Sequence, residues 1–155
     1  MTHVGNTSLR GLQGQTAVLN RLIQLELEVL LPWGDHIGYD LAYYTMTEER
    51  QFGFFVHHEN QLVRIQCKVA WLSDDGSHLV FNTSTVSAGG KGVWKKKKTG
   101  YEGRAEYFGV YSPDTGRVYM VSVAEAPKSS SMRLRLYPSK NNQEKNVKWA
   151  RDYEI

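Results

Sequence analysis

The chain has 155 residues and a mass of 17.7 kDa, a formal charge of +3 with a pI near 8.9, and one cysteine. That length suits one domain that buries a core without disulfides, and a lone cysteine rules out an internal one. No apolar run reaches membrane-spanning length, and the first residues carry no basic stretch followed by an apolar one, so the expectation is a cytoplasmic protein that is neither exported nor membrane-inserted.

From Thr7 or Ser8 onward, Leu9, Leu12, Thr16, Leu19, Leu22, Ile23 and Leu27 recur every three or four residues behind a hydroxyl suited to capping. This spacing predicts a long amphipathic helix. Gly11 and Gly14 fall in its early turns, each costing up to about 1 kcal/mol relative to alanine. Either the helix begins near Gly14 or another element approaches the backbone there. After Leu30-Leu31-Pro32, residues 33–38 read as a loop. Strand-like segments follow at 39–45, 52–56, 62–72, 79–83, 107–111, 117–123 and 132–137, divided by turn signals such as Asp74-Asp75-Gly76 and Ser112-Pro113-Asp114-Thr115-Gly116. The polar tail at 141–150 has room for a short helix burying Val147 and Trp149. The fold expected is α+β: a mixed or largely antiparallel β-sheet with an N-terminal helix packed on one face, in a single domain over 1–155.

Within the run Val63–Val69, Arg64, Gln66 and Lys68 share one face of a strand, while Val63, Ile65, Cys67 and Val69 share the other. The apolar face belongs to a core, and the polar face meets either solvent or a ligand. Asp40, opening a strand after a Gly-containing turn, either caps that turn or offers its carboxylate to the next strand. Metal-assisted phosphodiester hydrolysis needs hard oxygen ligands for the ion and a cation against charge building on the phosphate. Asp40, the Gln66 amide oxygen and the Cys67 carbonyl can supply the first, and Lys68 the second. The Cys67 thiol itself reads as a small hydrophobe. Glu48, Glu49, His57, His58 and Glu59 fall between the two site strands, in a hairpin long enough to hold its tip far from their bases. The adjacent histidines there read as a solvated pair.

Basic residues concentrate where the chain looks least like core. Lys91, Lys95, Lys96, Lys97 and Lys98 fall within eight positions, among Gly89, Gly90, Gly92 and Trp94. Such a loop either follows a phosphate backbone or is simply solvated, with Trp94 as its anchor. Lys140, Lys145, Lys148 and Arg151 crowd the C-terminal segment. Beside them Asn141, Asn142 and Gln143 can read adenine edges or cap a turn.

The run Gly14-Gln15-Thr16-Ala17-Val18-Leu19-Asn20-Arg21-Leu22, then Pro32-Trp33-Gly34-Asp35 and Tyr39-Asp40-Leu41, then Arg64-Ile65-Gln66-Cys67-Lys68, resembles the PD-(D/E)XK nucleases encoded within group I introns. The later motifs Tyr107-Phe108, Val118-Tyr119, Met132-Arg133-Leu134-Arg135-Leu136, Asn141-Asn142-Gln143, Trp149-Ala150 and Asp152-Tyr153 are similar to the end of that family. Each motif is weak alone, but their order from Leu9 to Tyr153 is specific.

The resemblance implies a restriction-endonuclease-like core and a site-specific double-strand DNA endonuclease of the homing type, dependent on Mg²⁺. Asp40, Gln66, Lys68 and Gln15 become its catalytic positions, and Asp40, Gln66 and the carbonyl of Cys67 its metal ligands. Lys91, Trp94, Lys95–Lys98, Lys140, Asn141, Asn142 and Gln143 become contacts to double-stranded DNA. Two strand cuts need two sites, hence a homodimer or homotetramer. One departure stands out: the helix position that the family fills with an acid is Gln15, which leaves Asp40 as the only clear carboxylate. Two rival readings follow: a DNA-binding protein with a decayed site, and a Holliday-junction resolvase-like nuclease sharing the fold and dimer logic.

Overall fold

The computed structural model describes residues 7–34, 36–51, 55–87, 97–128, 130–138 and 145–155, with only the backbone for 46–51, 55–60, 86–87 and 97–98. One helix, α1 (Thr7–Gln24), precedes the strands β1 (Val29–Leu30), β2 (Leu41–Gln51), β3 (Phe55–Val69), β4 (Trp71–Leu72), β5 (His78–Asn82), β6 (Thr85–Ser87), β7 (Lys97–Thr99), β8 (Tyr107–Ser112), β9 (Arg117–Ser122) and β10 (Ser131–Arg135). The main sheet has five strands in the order β1-β2-β3-β8-β9. A three-stranded sheet β10-β5-β4 and a two-stranded ribbon β6-β7 complete it. Within the main sheet β3 and β8 run parallel, and every other neighbouring pair is antiparallel. The sheet is therefore mixed and carries the N-terminal helix on one face, as the α+β expectation requires.

Alternation along β8 shows how the layers form. Phe108 and Val110 face a core shared with Leu79, Phe81, Tyr101, Tyr119 and Leu134, whereas Gly109 faces α1. Phe108 sits edge-on to Phe81 and Tyr101, with ring centres 5.8 and 5.5 Å apart. On the other face Val18, Leu22, Leu41, Ile65 and Val118 form a second core. The main sheet is thus a middle layer, with helix on one side and the small sheet on the other.

Helix α1 starts at Thr7, so the choice left open at Gly14 is resolved as a close approach. A Cβ at Gly14 would lie 2.5 Å from Cγ2 of Val69 and 3.5 Å from the carbonyl oxygen of Lys68. The same squeeze recurs one turn on, where a Cβ at Gly109 would lie 2.7 Å from Cγ1 of Val18. The buried stripe is consequently Gly14, Val18 and Leu22, spaced i, i+4, i+8. Leu9, Leu12 and Ile23, expected on that stripe, are 54%, 58% and 56% exposed. Hydrophobicity placed Leu22 in the core and Leu19 and Leu27 beside it but missed Gly14, because the seam that lets a helix lie closest is lined by its smallest residue.

Leu27 also lies past the helix. Glu26 takes a left-handed φ of 61°, the Glu26 N–H donates to Ile23 O at 2.9 Å, and the Leu27 N–H donates to Leu22 O at 3.1 Å. This Schellman closure turns Leu27 back onto the core beneath α1.

Several strand expectations shift for reasons of pairing. Of the segments expected at 39–45 and 52–56, residues 52–54 lie outside the described residues, and the rest joins one antiparallel pair in which β2 meets β3 from Leu41↔Ile65 to Gln51↔Phe55. Its register sets Glu48 and Glu49 opposite His58 and His57. His58 is seven positions along β3 from Ile65, or about 23 Å at the rise of an extended strand. The expected strand 62–72 breaks at Ala70, whose N–H donates to Tyr111 O, and Trp71–Leu72 joins the small sheet instead. Strands β6 and β7 had no alternating signature. Of the segment 141–150, where a short helix is expected, residues 141–144 lie outside the described residues; 145–149 are not helical, a 3₁₀ turn at Ala150–Asp152 buries Ala150, and Val147 and Trp149 are half-buried.

Two glycines of the same helix should respond oppositely to the same change. Gly11 has open space around a would-be Cβ, so Gly11→Ala should stabilise the protein by about 0.5–1 kcal/mol in urea unfolding. Gly14→Ala drives a methyl into a β-branched side chain and should destabilise it by about 1–3 kcal/mol.

Candidate active site

Asp40 sits just before β2, where its N–H donates to Ile65 O at 2.8 Å and so ties the turn to the middle strand. That anchor aims the side chain across β3. Asp40 Oδ2 accepts the backbone N–H of Cys67 at 2.7 Å and a hydrogen bond from Nε2 of Gln66. From α1, the Nε2 of Gln15 donates to the main-chain carbonyl of Asp40 at 3.3 Å. Lys68, two residues beyond Gln66 on the same face, donates from Nζ to the Tyr101 hydroxyl at 3.0 Å and lies 4.4 Å from the centre of that ring. The structure therefore brings Gln15, Asp40, Gln66 and Cys67 into direct contact, with Lys68 beside them.

The helix contributes through its close approach. With Gly14 pressed against Val69, the next residue, Gln15, reaches the Asp40 turn. It meets the backbone of Asp40 and not its carboxylate. A glutamate in the same pose would set an oxygen against that carbonyl, which in the absence of a cation is repulsive. An amide resolves this by offering a donor.

Burial raises the pKa of Asp40 above the ordinary carboxylate value, opposed by the Cys67 N–H, the charge of Lys68 and the Gln66 amide. Cys67 is pushed up much further, first by burial and then by the Asp40 charge, so its thiol stays neutral. Among the described residues no group of three or more His, Cys, Asp or Glu side chains is placed to hold a metal ion. The donors present are oxygens: the Asp40 carboxylate, the amide oxygen of Gln66 and the carbonyl of Cys67. Such a set fits a hard dication of the magnesium type in chemistry, with a single protein charge.

Asp40 and Gln15 line a cleft of about 300 Å³ together with Leu31, Pro32, Gly34, Ile37 and Tyr39. A larger cleft of about 590 Å³ opens near Tyr43, Val63 and Tyr107, but its charged lining residues are Glu102 and Glu106. Neither Asp40 nor Gln15 lines it, so the smaller cleft is the one that belongs to the site.

Tyr101, Arg104 and the partner of Arg64, Glu106, escaped sequence reading. Tyr101, buried, supports Lys68. Arg64, on the same face as Gln66, is held by Glu106, whose carboxylate accepts the Arg64 backbone N–H at 2.6 Å and its Nε at 3.1 Å. That pairing holds the Glu106 carboxyl below its usual range. Arg104 lies over Gly38. None of these pairs is close in sequence, and β3 meets β8 in parallel, a partnership that no turn signal announces.

Of the DNA contacts expected, Lys97 and Lys98 lie on β7 opposite Ser87 and Val86, with side chains outside the described residues. Lys91, Trp94, Lys95, Lys96, Lys140, Asn141, Asn142 and Gln143 also lie outside the described residues. No described helix is long and apolar enough to cross a membrane.

The fold has a counterpart among solved structures. A solved structure described as a bacterial homing endonuclease, I-Ssp6803I, superposes with a TM-score of 0.66 at 19% identity, covering 97% of this chain and 89% of that one. No curated protein sequence matches. The family profile described as PD-(D/E)XK endonuclease matches residues 5–155. With that match over nearly its full length, and with Asp40, Gln66 and Lys68 gathered at the edge of β3, the chain belongs to the PD-(D/E)XK endonuclease family.

Proposed function

We propose that this nuclease is a site-specific, Mg²⁺-dependent endonuclease that cuts both strands of a DNA target, in the manner of a homing endonuclease. The observation that carries the reading is the Asp40 carboxylate, held by the Cys67 N–H and the Gln66 amide next to Lys68 on one strand. Asp40, Gln66 and the Cys67 carbonyl would hold the ion. When bound, Mg²⁺ neutralises phosphate charge and eases loss of a proton from water. Lys68 keeps donors to spare beyond the one on Tyr101, and these orient the attacking water or meet charge developing on the phosphate as a P–O bond breaks. Gln15 steadies the Asp40 turn from α1. The basic stretch 91–98 with Lys140, Asn141, Asn142 and Gln143 would track the duplex. Cutting both strands calls for a homodimer or homotetramer of this single domain, 1–155, working in the reducing cytoplasm, where free Cys67 is stable.

A second reading draws on a specific observation. Amides at 15 and 66 leave one carboxylate, and a site with one charge attracts a dication far less than one with two or three. A DNA-binding protein with a decayed site fits that charge deficit. Plasmid cleavage with and without Mg²⁺, alongside duplex binding, separates the two: binding without Mg²⁺-dependent cuts supports decay.

Asp40→Asn should abolish cleavage, and Lys68→Ala should slow it by about 10²–10³-fold. Thermal unfolding gives an independent check on Asp40. Its folded pKa is raised, so the folded state retains a proton that the unfolded chain releases, and stability falls as pH rises through that window. Asp40→Asn should therefore melt higher than wild type at neutral pH, and the difference should shrink as pH falls into the carboxylate range.

Gln15→Glu adds a second charge near the ion while removing the donor to the Asp40 carbonyl. Without metal the variant should melt lower than wild type. Titrated with Mg²⁺, it should bind about tenfold more tightly, the worth of about 1.4 kcal/mol.

A further inference from the structure

We propose that Arg104 is a phosphate-binding residue at the mouth of the Asp40–Lys68 site, contacting the backbone of the DNA strand that lies there. The inference rests on the endonuclease reading and adds to it a residue outside the metal and lysine positions.

Three features place Arg104. Its backbone N–H donates to Tyr101 O at 2.9 Å, closing a turn that holds both residues together. The guanidinium carbon lies 5.9 Å from the centre of the Tyr101 ring, the ring that Lys68 Nζ approaches to 4.4 Å. A Cβ on Gly38 would lie 2.4 Å from Nε of Arg104 and 3.1 Å from its Cβ. Arg104 therefore lies over the backbone two residues before Asp40, and glycine at 38 is what makes room for it. Through one ring and one turn, it is adjacent to both Lys68 and Asp40.

Among the described residues no acid is paired with Arg104. The acids flanking it in sequence, Glu102 and Glu106, are each engaged elsewhere: Glu102 with Lys128 at 3.0 Å and Glu106 with Arg64. Among the described residues the Arg104 guanidinium has neither a hydrogen bond nor an ion pair, and the residue is exposed. Two cations against one aromatic ring, with Glu102 and Glu106 each paired elsewhere, favour an anion between or beside them. A planar guanidinium matches the paired oxygens of a phosphodiester. Unlike a cation on a mobile loop, this one is positioned before DNA arrives, which reduces the ordering cost of the contact.

The test is binding of the full chain to a fluorescent random-sequence duplex, with Ca²⁺ replacing Mg²⁺, across a salt series. Losing one phosphate contact should lower the slope of log K against log salt by about 0.9 for each protomer bound to the duplex. Arg104→Ala and Arg104→Gln should both show that drop, with affinity about tenfold weaker at low salt, while Arg104→Lys keeps most of the slope. Gly38→Ala, which displaces the side chain, should reproduce the loss. Melting temperatures equal to wild type for Arg104→Gln would confirm that the loss is one of contact and not of fold. Wild-type slope and affinity in both Arg104→Ala and Arg104→Gln would overturn the proposal while leaving the endonuclease reading intact. A wild-type protein with no duplex affinity would overturn both.

Discussion

Everything at the site depends on how closely α1 lies against the middle of the main sheet. At Gly14 the helix backbone meets Val69, and at Gly109 the sheet backbone meets Val18, so each layer contributes one missing side chain to the same seam. Interiors are packed too densely to absorb even one added methyl at such a contact. The closeness sets function as well as stability. It carries Gln15 to the Asp40 turn, and on the opposite face of β3 it leaves Gln66 and Lys68 free to meet groups arriving from other strands.

The second constraint is charge. A cluster built of one carboxylate, two amides, a carbonyl and a lysine is close to neutral, and its hydrogen bonds satisfy one another without an ion. Asp40 accepts from Cys67 and Gln66, and Gln15 donates to its carbonyl. Acids at 15 and 66 would crowd three negative groups around one point and hold each other's pKa values up until a cation arrived. Amides relieve that repulsion, and the same relief weakens the electrostatic pull on a dication. Metal affinity then leans on the phosphate that the substrate brings, which couples metal binding to DNA binding.

Periodicity conveyed a good deal. The alternation in Val63–Val69 correctly separated Ile65 and Cys67, on a core face, from Gln66 and Lys68 on the other, because a strand's period of two is a local property; that the core face is the helix side came from the structure. The existence of α1 and the turns at 74–76 and 112–116 were likewise legible from local steric and hydrogen-bonding preferences. The buried stripe of α1 was not, since Leu9 and Leu12 look more like core than Gly14 does. What selected Gly14 was the shape of a sheet surface assembled from residues far along the chain. The partners Tyr101 and Glu106 were hidden for a related reason: they reach β3 only through a parallel pairing between segments some forty residues apart.

The amino-acid sequence by itself determined the α+β character, the two faces of β3, the identities of Asp40, Gln66 and Lys68 as candidates, and the unusual amide at 15, because these rest on local periodicity and on the ordered motifs of a family. Tertiary structure alone decided that Gln15 meets the Asp40 backbone and not its carboxylate, that Lys68 leans on Tyr101, and that Glu102 and Glu106 are engaged while Arg104 is not. Those outcomes are distances between residues remote in sequence, and such distances are fixed only when the layers pack.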